Sequence, residues 1–261
     1  GAKPIYVKTS SEFQYEPKFS DLVSKISNKT KGIIINSPSN PTGGVWSDDA
    51  IKQTLDIAQK HDLWIFSDEC YEQLIYDIGF KSIATFANNK DKILTFQSCS
   101  KTYAMTGWRI GYTAGHESII KAMSKLQGQS TSCPNSIAQY AAIEALTGDQ
   151  GAVSEMVNKF KRRRDFILDG FNSIDHIICN KPKGAFYAFP DISHFLSRSY
   201  QNNKIISSLD LSMLLLKEKF VVTVAGDCFG APNNIRFSYA TSEEIISKML
   251  DRVKSLLQLI K

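Results

Sequence analysis

The sequence has 261 residues, 43% hydrophobic and 22% charged, a composition ordinary for a globular protein and long enough for two domains with sizeable cores. A formal net charge of +5 could help draw anionic metabolites. It falls well short of a nucleic-acid footprint, and no apolar run approaches transmembrane length, so neither nucleic acid nor membrane is an expected partner. Five cysteines (Cys70, Cys99, Cys133, Cys179, Cys228) lack a close CxxC pair, which argues against a zinc site or a disulfide framework and suits a reducing cytoplasm.

Along the chain, Gly1-Ala2-Lys3-Pro4 opens without an initiator Met and runs into strand-like Ile5-Tyr6-Val7, as if beginning in mid-domain. Gly32–Asn36 reads as a buried strand. Ser47 is placed to N-cap a helix with Ile51, Leu55 and Ala58 on one face. Leu63–Phe66, Ile93–Phe96 and Ile110–Ala114 read as further strands, followed by helical patterns at about 117–127 and 135–147. Short non-alternating strands separated by helices imply an α/β sheet covered on both faces. A long helix over about 151–172 contains the basic run Lys161-Arg162-Arg163-Arg164, read as a solvated face. Beyond it come short strands at Ala185–Phe189, Val221–Val224 and Ile235–Tyr239. Thr241-x-x-Glu244 reads as a capping box opening a last helix through Ile245, Met249, Val253, Leu256 and Ile260. The simplest division is a large domain over 1–152 and a smaller α+β domain over 153–261.

Open α/β sheets bind ligands at the carboxyl ends of their strands. Three successive strand ends here carry polar groups: Ser39-Asn40-Pro41-Thr42-Gly43, Ser67-Asp68-Glu69-Cys70-Tyr71 and Ser98-Cys99-Ser100-Lys101-Thr102. Together they suggest one site.

The segment Ser98–Gly111 (SCSKTYAMTGWRIG) resembles the lysine signature of the class I/II pyridoxal-phosphate (PLP) aminotransferases of fold-type I. Asn40-Pro41-Thr42-Gly43, Asp68-x-x-Tyr71 and the arginine of Asn234-Ile235-Arg236-Phe237-Ser238 match the family's other landmarks in order. Ser130-Thr131-Ser132 and Ile137–Ala141 are similar to the aspartate/prephenate branch.

This resemblance implies a three-layer αβα large domain with a mostly parallel sheet, incomplete at its N-terminus, plus a smaller α+β domain. It implies a homodimer that moves an amino group between an amino acid, aspartate or a related one, and a 2-oxo acid such as 2-oxoglutarate. The mechanism implied is ping-pong and proceeds through a Schiff base. Lys101 would be the lysine that binds PLP and then carries a proton. Placement after an apolar strand argues against an ordinary surface lysine. Asp68 would pair with the pyridine nitrogen, against the plainer reading of a turn-capping Asp. Tyr71 and Asn40 would hydrogen-bond the ring's phenolic oxygen, and Pro41 invites a cis peptide that aims Asn40. Ser98, Ser100 and Arg109 would grip the phosphate, Arg109 lying in an apolar setting between Trp108 and Ile110. Arg236, alternating with Ile235 and Phe237, would clamp the substrate α-carboxylate. Without the family it reads as a strand arginine facing solvent. Gly184-Ala185-Phe186-Tyr187 resembles a small-domain strand near the substrate, its aromatics read as core. No metal site is expected.

The family's preceding region, with its ring-stacking aromatic and partner tyrosine, finds no match, so this polypeptide by itself is expected to be inactive or nearly so. Ser98-x-x-Lys101 also fits a serine penicillin-recognising motif, but no Lys-Thr-Gly strand accompanies it. A phosphate loop at Lys101-Thr102 lacks its glycines. A PLP lyase or synthase of the same fold, and a PLP-binding sensor domain of a transcription regulator, stay open.

Overall fold

The computed structural model describes residues 1–261. The chain forms two compact units, Gly1–Ser39 with Gly44–Glu155, and Asn40–Gly43 with Met156–Lys261. A single boundary between 152 and 153 makes no provision for the excursion of Asn40–Gly43.

In the first unit, α1 (Phe19–Ser24) leads into β1 (Gly32–Asn36), α2 (Asp48–Lys60), β2 (Trp64–Asp68) and β3 (Ile93–Ser98). Then come α3 (Cys99–Thr102), β4 (Gly111–Ala114), α4 (Glu117–Ser130) and α5 (Ser136–Thr147). The sheet order is β1-β2-β3-β4. The first three strands are parallel and β4 is antiparallel. Ser47 caps α2, its Oγ accepting from Ala50 N at 3.2 Å. Ile51 and Ala58 of α2 then pack with Ile35, Ile65, Ile83 and Ile93, each such large side chain contributing roughly 1.5–3 kcal/mol of burial.

The expected coverage of both sheet faces fails at β1. Successive side chains alternate between faces; Ile35 is 3% exposed but Ile34 is 80% exposed. On the same face, in register across the sheet, Leu94 of β3 is 4% exposed, so the exposure is local to β1.

The long helix α6 (Gly151–Asn172) is followed by β5 (Tyr187–Ala188), β6 (Ser199–Tyr200), β7 (Asn203–Lys204), α7 (Ser208–Lys219), β8 (Val224–Ala225), β9 (Ile235–Ser238) and α8 (Glu243–Leu257). The sheets are antiparallel: β5-β9-β8 and β6-β7. Two strands are shorter than their apolar runs suggest. Ala185 and Phe220 both take left-handed backbone conformations, φ 58° and 54°, which interrupt extension at those points. Pro190, with no N–H, follows closely after β5.

Two helix readings need correction. The N-cap of α8 is Ser242, whose Oγ accepts from Ile245 N at 3.3 Å, and not Thr241. The buried stripe of α8 accordingly runs through Ile246, Leu250, Val253, Leu256 and Leu257, while Ile245 is exposed. In α6 the basic run is not wholly solvated. Arg164 continues the stripe Phe160, Ile167, Leu168 and Phe171, and is 1% exposed. Its charge is met by Asp165 Oδ1, 2.9 Å from Nε and 2.8 Å from NH2, and its NH1 donates to Pro182 O at 3.3 Å.

Candidate active site

Within the first unit, register decides what meets what. Asn36 pairs with Asp68, and Asp68 with Phe96, so the three parallel strands end level with one another. β2 thus delivers Asp68 and, through the following turn, Tyr71, where β3 delivers Ser98 and α3. Ser98 caps α3, its Oγ accepting from Ser100 N at 3.1 Å and donating to Ile110 O at 3.4 Å. Cys99, fully buried with Met105 and Ala142, roots the helix.

Lys101 stands in the last turn of α3, its Nζ 5.9 Å from the centre of the Tyr71 ring. Tyr71 is buried. Asp68 Oδ1 accepts from Cys70 N at 3.1 Å. Burial pushes the Cys70 thiol up to about 12, the Asp68 carboxylate pushes the same way, and the Lys101 charge opposes both. Asp68, Cys70, Tyr71 and Lys101 therefore share one neighbourhood, with Ser98 and Ser100 at the base of the same short helix.

Arg109 comes next to this group, beside Ile110, whose carbonyl accepts from Ser98 Oγ and Cys99 N. It takes φ 53°, reversing the chain between the turn Thr106–Trp108 and β4. Its NH1 donates to Thr106 O at 3.0 Å, and both its side chain and that of Trp108 are exposed. The apolar setting expected for it is absent.

Sequence reasoning passed over Glu69. Its carboxylate is 1% exposed and accepts from Ser67 Oγ (3.0 Å), Ser82 Oγ (2.9 Å), Ile83 N (3.2 Å) and Gln97 Nε2 (3.3 Å). Gln97 also donates to Glu72 Oε2 at 3.0 Å. Burial raises both carboxyls, and the Glu69 charge raises Glu72 further. The signal was the alternation: Ile65, Ser67 and Glu69 fall on one side at the period of a strand.

In the second unit, Arg236 alternates between buried Ile235 and Phe237, as expected. Its NH1 donates to Asn40 Oδ1 at 2.7 Å, and no carboxylate lies within ion-pair range of it. The Asn40–Pro41 peptide is cis. The loop is fixed at Gly43, which has φ +65° and whose carbonyl accepts from Lys183 N and Gly184 N at 2.9 Å. A Cβ there would stand 2.4 Å from Pro182 Cβ, so only glycine fits. Arg164, through Pro182 O, braces the other side of that contact.

A profile of the family described as aminotransferase class I and II matches residues 1–253. The chain belongs to that family. An aspartate aminotransferase of Bacillus subtilis (strain 168) is 40% identical over 261 residues, covering 99% of this chain and 65% of its own length. An aspartate/prephenate aminotransferase of Cereibacter sphaeroides (strain ATCC 17029 / ATH 2.4.9) is 38% identical over 259 residues, covering 98% and 65%. Among solved structures, the aspartate aminotransferase of Rhizobium meliloti superposes with a TM-score of 0.95 at 35% identity, over 99% of this chain and 66% of that one. An aromatic aminotransferase from Pyrococcus horikoshii OT3 gives 0.92 at 36%, over 99% and 68%. The chain spans about 65% of the length of the curated relatives it matches. No helix is long and apolar enough to cross a membrane.

Proposed function

We propose that the protein carrying this chain is a PLP-dependent aminotransferase. It moves an amino group between an amino acid, aspartate or a related one, and a 2-oxo acid such as 2-oxoglutarate, in two ping-pong half-reactions. The observation that carries this is the placing of the Lys101 amine over the Tyr71 ring, with the Asp68 carboxylate in the same neighbourhood. An amine, an acceptor carboxylate, a phenol and two hydroxyls fit the donor set that PLP needs. When bound, its pyridinium ring supplies an electron sink for the charge left at the substrate Cα.

The rest falls to the chain's own groups. Asp68 would accept a hydrogen bond from the protonated ring nitrogen and keep that proton in place. The Tyr71 hydroxyl would donate toward the phenolic oxygen. The resemblance assigns Asn40 to the same oxygen; within its own unit its Oδ1 accepts from Arg236. Lys101 Nζ would hold the cofactor through its aldehyde carbon, with loss of water, and would carry the substrate Cα proton when free. Ser98, Ser100 and Arg109 would hold phosphate, Arg109 with the guanidinium N–H groups that its bond to the Thr106 carbonyl leaves over. Arg236 takes the substrate α-carboxylate with charge-assisted bonds.

The proposal includes a cytoplasmic homodimer. The α5 surface supports self-association: Ile137, Tyr140, Ile143 and Leu146 are 75%, 76%, 57% and 45% exposed. Exposed apolar side chains on that helix suit a surface that another subunit covers.

The deciding assay gives aspartate and 2-oxoglutarate to the protein and follows the products. Glutamate and oxaloacetate in equal amounts support the transferase. Release of ammonia or pyruvate marks a lyase and contradicts it, and no turnover with retained PLP binding marks a sensor.

A further inference from the structure

Arg236 is a half-buried guanidinium with a neutral amide oxygen as its one hydrogen-bond acceptor and no carboxylate in range. What else holds it is aromatic. Its Cζ lies 4.6 Å from the centre of the Tyr187 ring and 5.3 Å from that of Phe229. We infer that Tyr187 and Phe229 are positioning residues for Arg236: their rings fix the orientation of its guanidinium while leaving the charge uncompensated for an incoming carboxylate. This deepens the reading of Arg236 given above and rests on it.

The sequence encodes the arrangement through register. Tyr187 pairs with Ser238 across β5 and β9, and Arg236 lies two residues back along β9, on the same face as Ser238. That diagonal relation is within reach of an aromatic and a long side chain. Tyr187 is 6% exposed and cannot swing away.

Phe229 ends the 3-10 turn Gly226–Phe229 after β8, and the turn is tied down twice. Asp227 Oδ2 accepts from Ser208 Oγ, and from Leu209 N at 3.2 Å, at the start of α7. Gly226 lies so close to the 231–234 segment that a Cβ there would meet Ala231 O at 2.1 Å. The Phe229 ring also meets buried Phe189 edge-on at 6.1 Å. Cation–π contacts add orientation and modest energy without neutralising the ion. A salt-bridged arginine would have to give up its partner before it could accept substrate. This one does not.

The test uses the full chain labelled with [15N]arginine, the Arg236 side-chain resonance being assigned by its loss in Arg236→Lys. The expected result is an Arg236 resonance displaced by ring currents relative to exposed Arg252 and moved again by added succinate as a carboxylate probe. Phe229→Leu and Tyr187→Leu should each return the resonance toward that of Arg252. Each should also weaken succinate binding about two- to fivefold, the range set by a cation–π contact, while Tyr187→Phe keeps the displacement. An Arg236 resonance unchanged in both leucine variants overturns the proposal, and so does succinate affinity unchanged in both. If ring displacement is present and lost on substitution while succinate never perturbs Arg236, the aromatic seat stands and the carboxylate role of Arg236 falls.

Discussion

Cys70 feels both Asp68 and Lys101, the two groups to which the proposal gives the chemistry, and its thiol reports on both. With burial and Asp68 holding it up to about 12, it stays protonated, and therefore unreactive, across the working range of an enzyme. Cys99 and Cys179 are buried, whereas Cys133 and Cys228 are exposed. Iodoacetamide at pH 8 should therefore label Cys133 and Cys228 well before Cys70. Rapid labelling of Cys70, read by peptide mass spectrometry, would contradict the packing of Asp68 against it. Asp68, Tyr71 and Lys101 were legible because each follows an apolar strand, and the parallel register then aligns the strand ends. For Arg109 the neighbours that suggested an apolar setting do not reveal its left-handed backbone or its exposure.

Glu69 joins three elements through one carboxylate: β2, the turn beginning at Ser82, and β3 through Gln97. Removing it orphans several buried donors at once. Glu69→Ala should cost about 2–4 kcal/mol in chemical denaturation. A loss below about 0.5 kcal/mol, the range of ordinary surface substitutions, would show that the network is not formed. Arg164→Ala should cost a similar amount, about 2–4 kcal/mol, because it removes a buried stem and leaves Pro182 O without its donor. Its position in the apolar stripe of α6 was the available clue, outweighed by its neighbours in the basic run. The strand shortening at Ala185 and Phe220 and the one-residue shift of the α8 cap have a common origin. Period and composition locate an element well but leave its ends to backbone conformation and to whichever hydroxyl reaches a free N–H.

Considered as one folded chain, the protein should show the raised carboxyls in its pH dependence. Glu69 and Glu72 both have folded values above the ordinary 4.5. Folding therefore favours their protonated forms. Their stabilising contribution is complete below about pH 4.5 and is lost as pH rises through the folded values. Glu72→Gln removes one of the two groups and the repulsion between them. It should flatten the fall in stability from pH 4.5 upward, measured by urea midpoints, and an unchanged slope would contradict the coupling. For assembly, Tyr140→Lys places a charge in the exposed apolar stripe of α5 and should shift the protein toward monomer in analytical ultracentrifugation. The layered α/β architecture was readable from strand-and-helix alternation, and the order of the site motifs from the family resemblance. The return of Asn40–Gly43 to the second unit was not, because it depends on Gly43 fitting against Pro182, a contact between residues far apart in sequence.

The central claim is that the amine of Lys101 is the group that captures the cofactor aldehyde. Incubation with PLP, reduction with borohydride and peptide mass spectrometry test it directly. The account predicts a single reduced phosphopyridoxyl adduct on the peptide containing Lys101, absent from Lys101→Ala. An adduct spread over surface lysines with position 101 unmodified, or one that persists undiminished in Lys101→Ala, would contradict it.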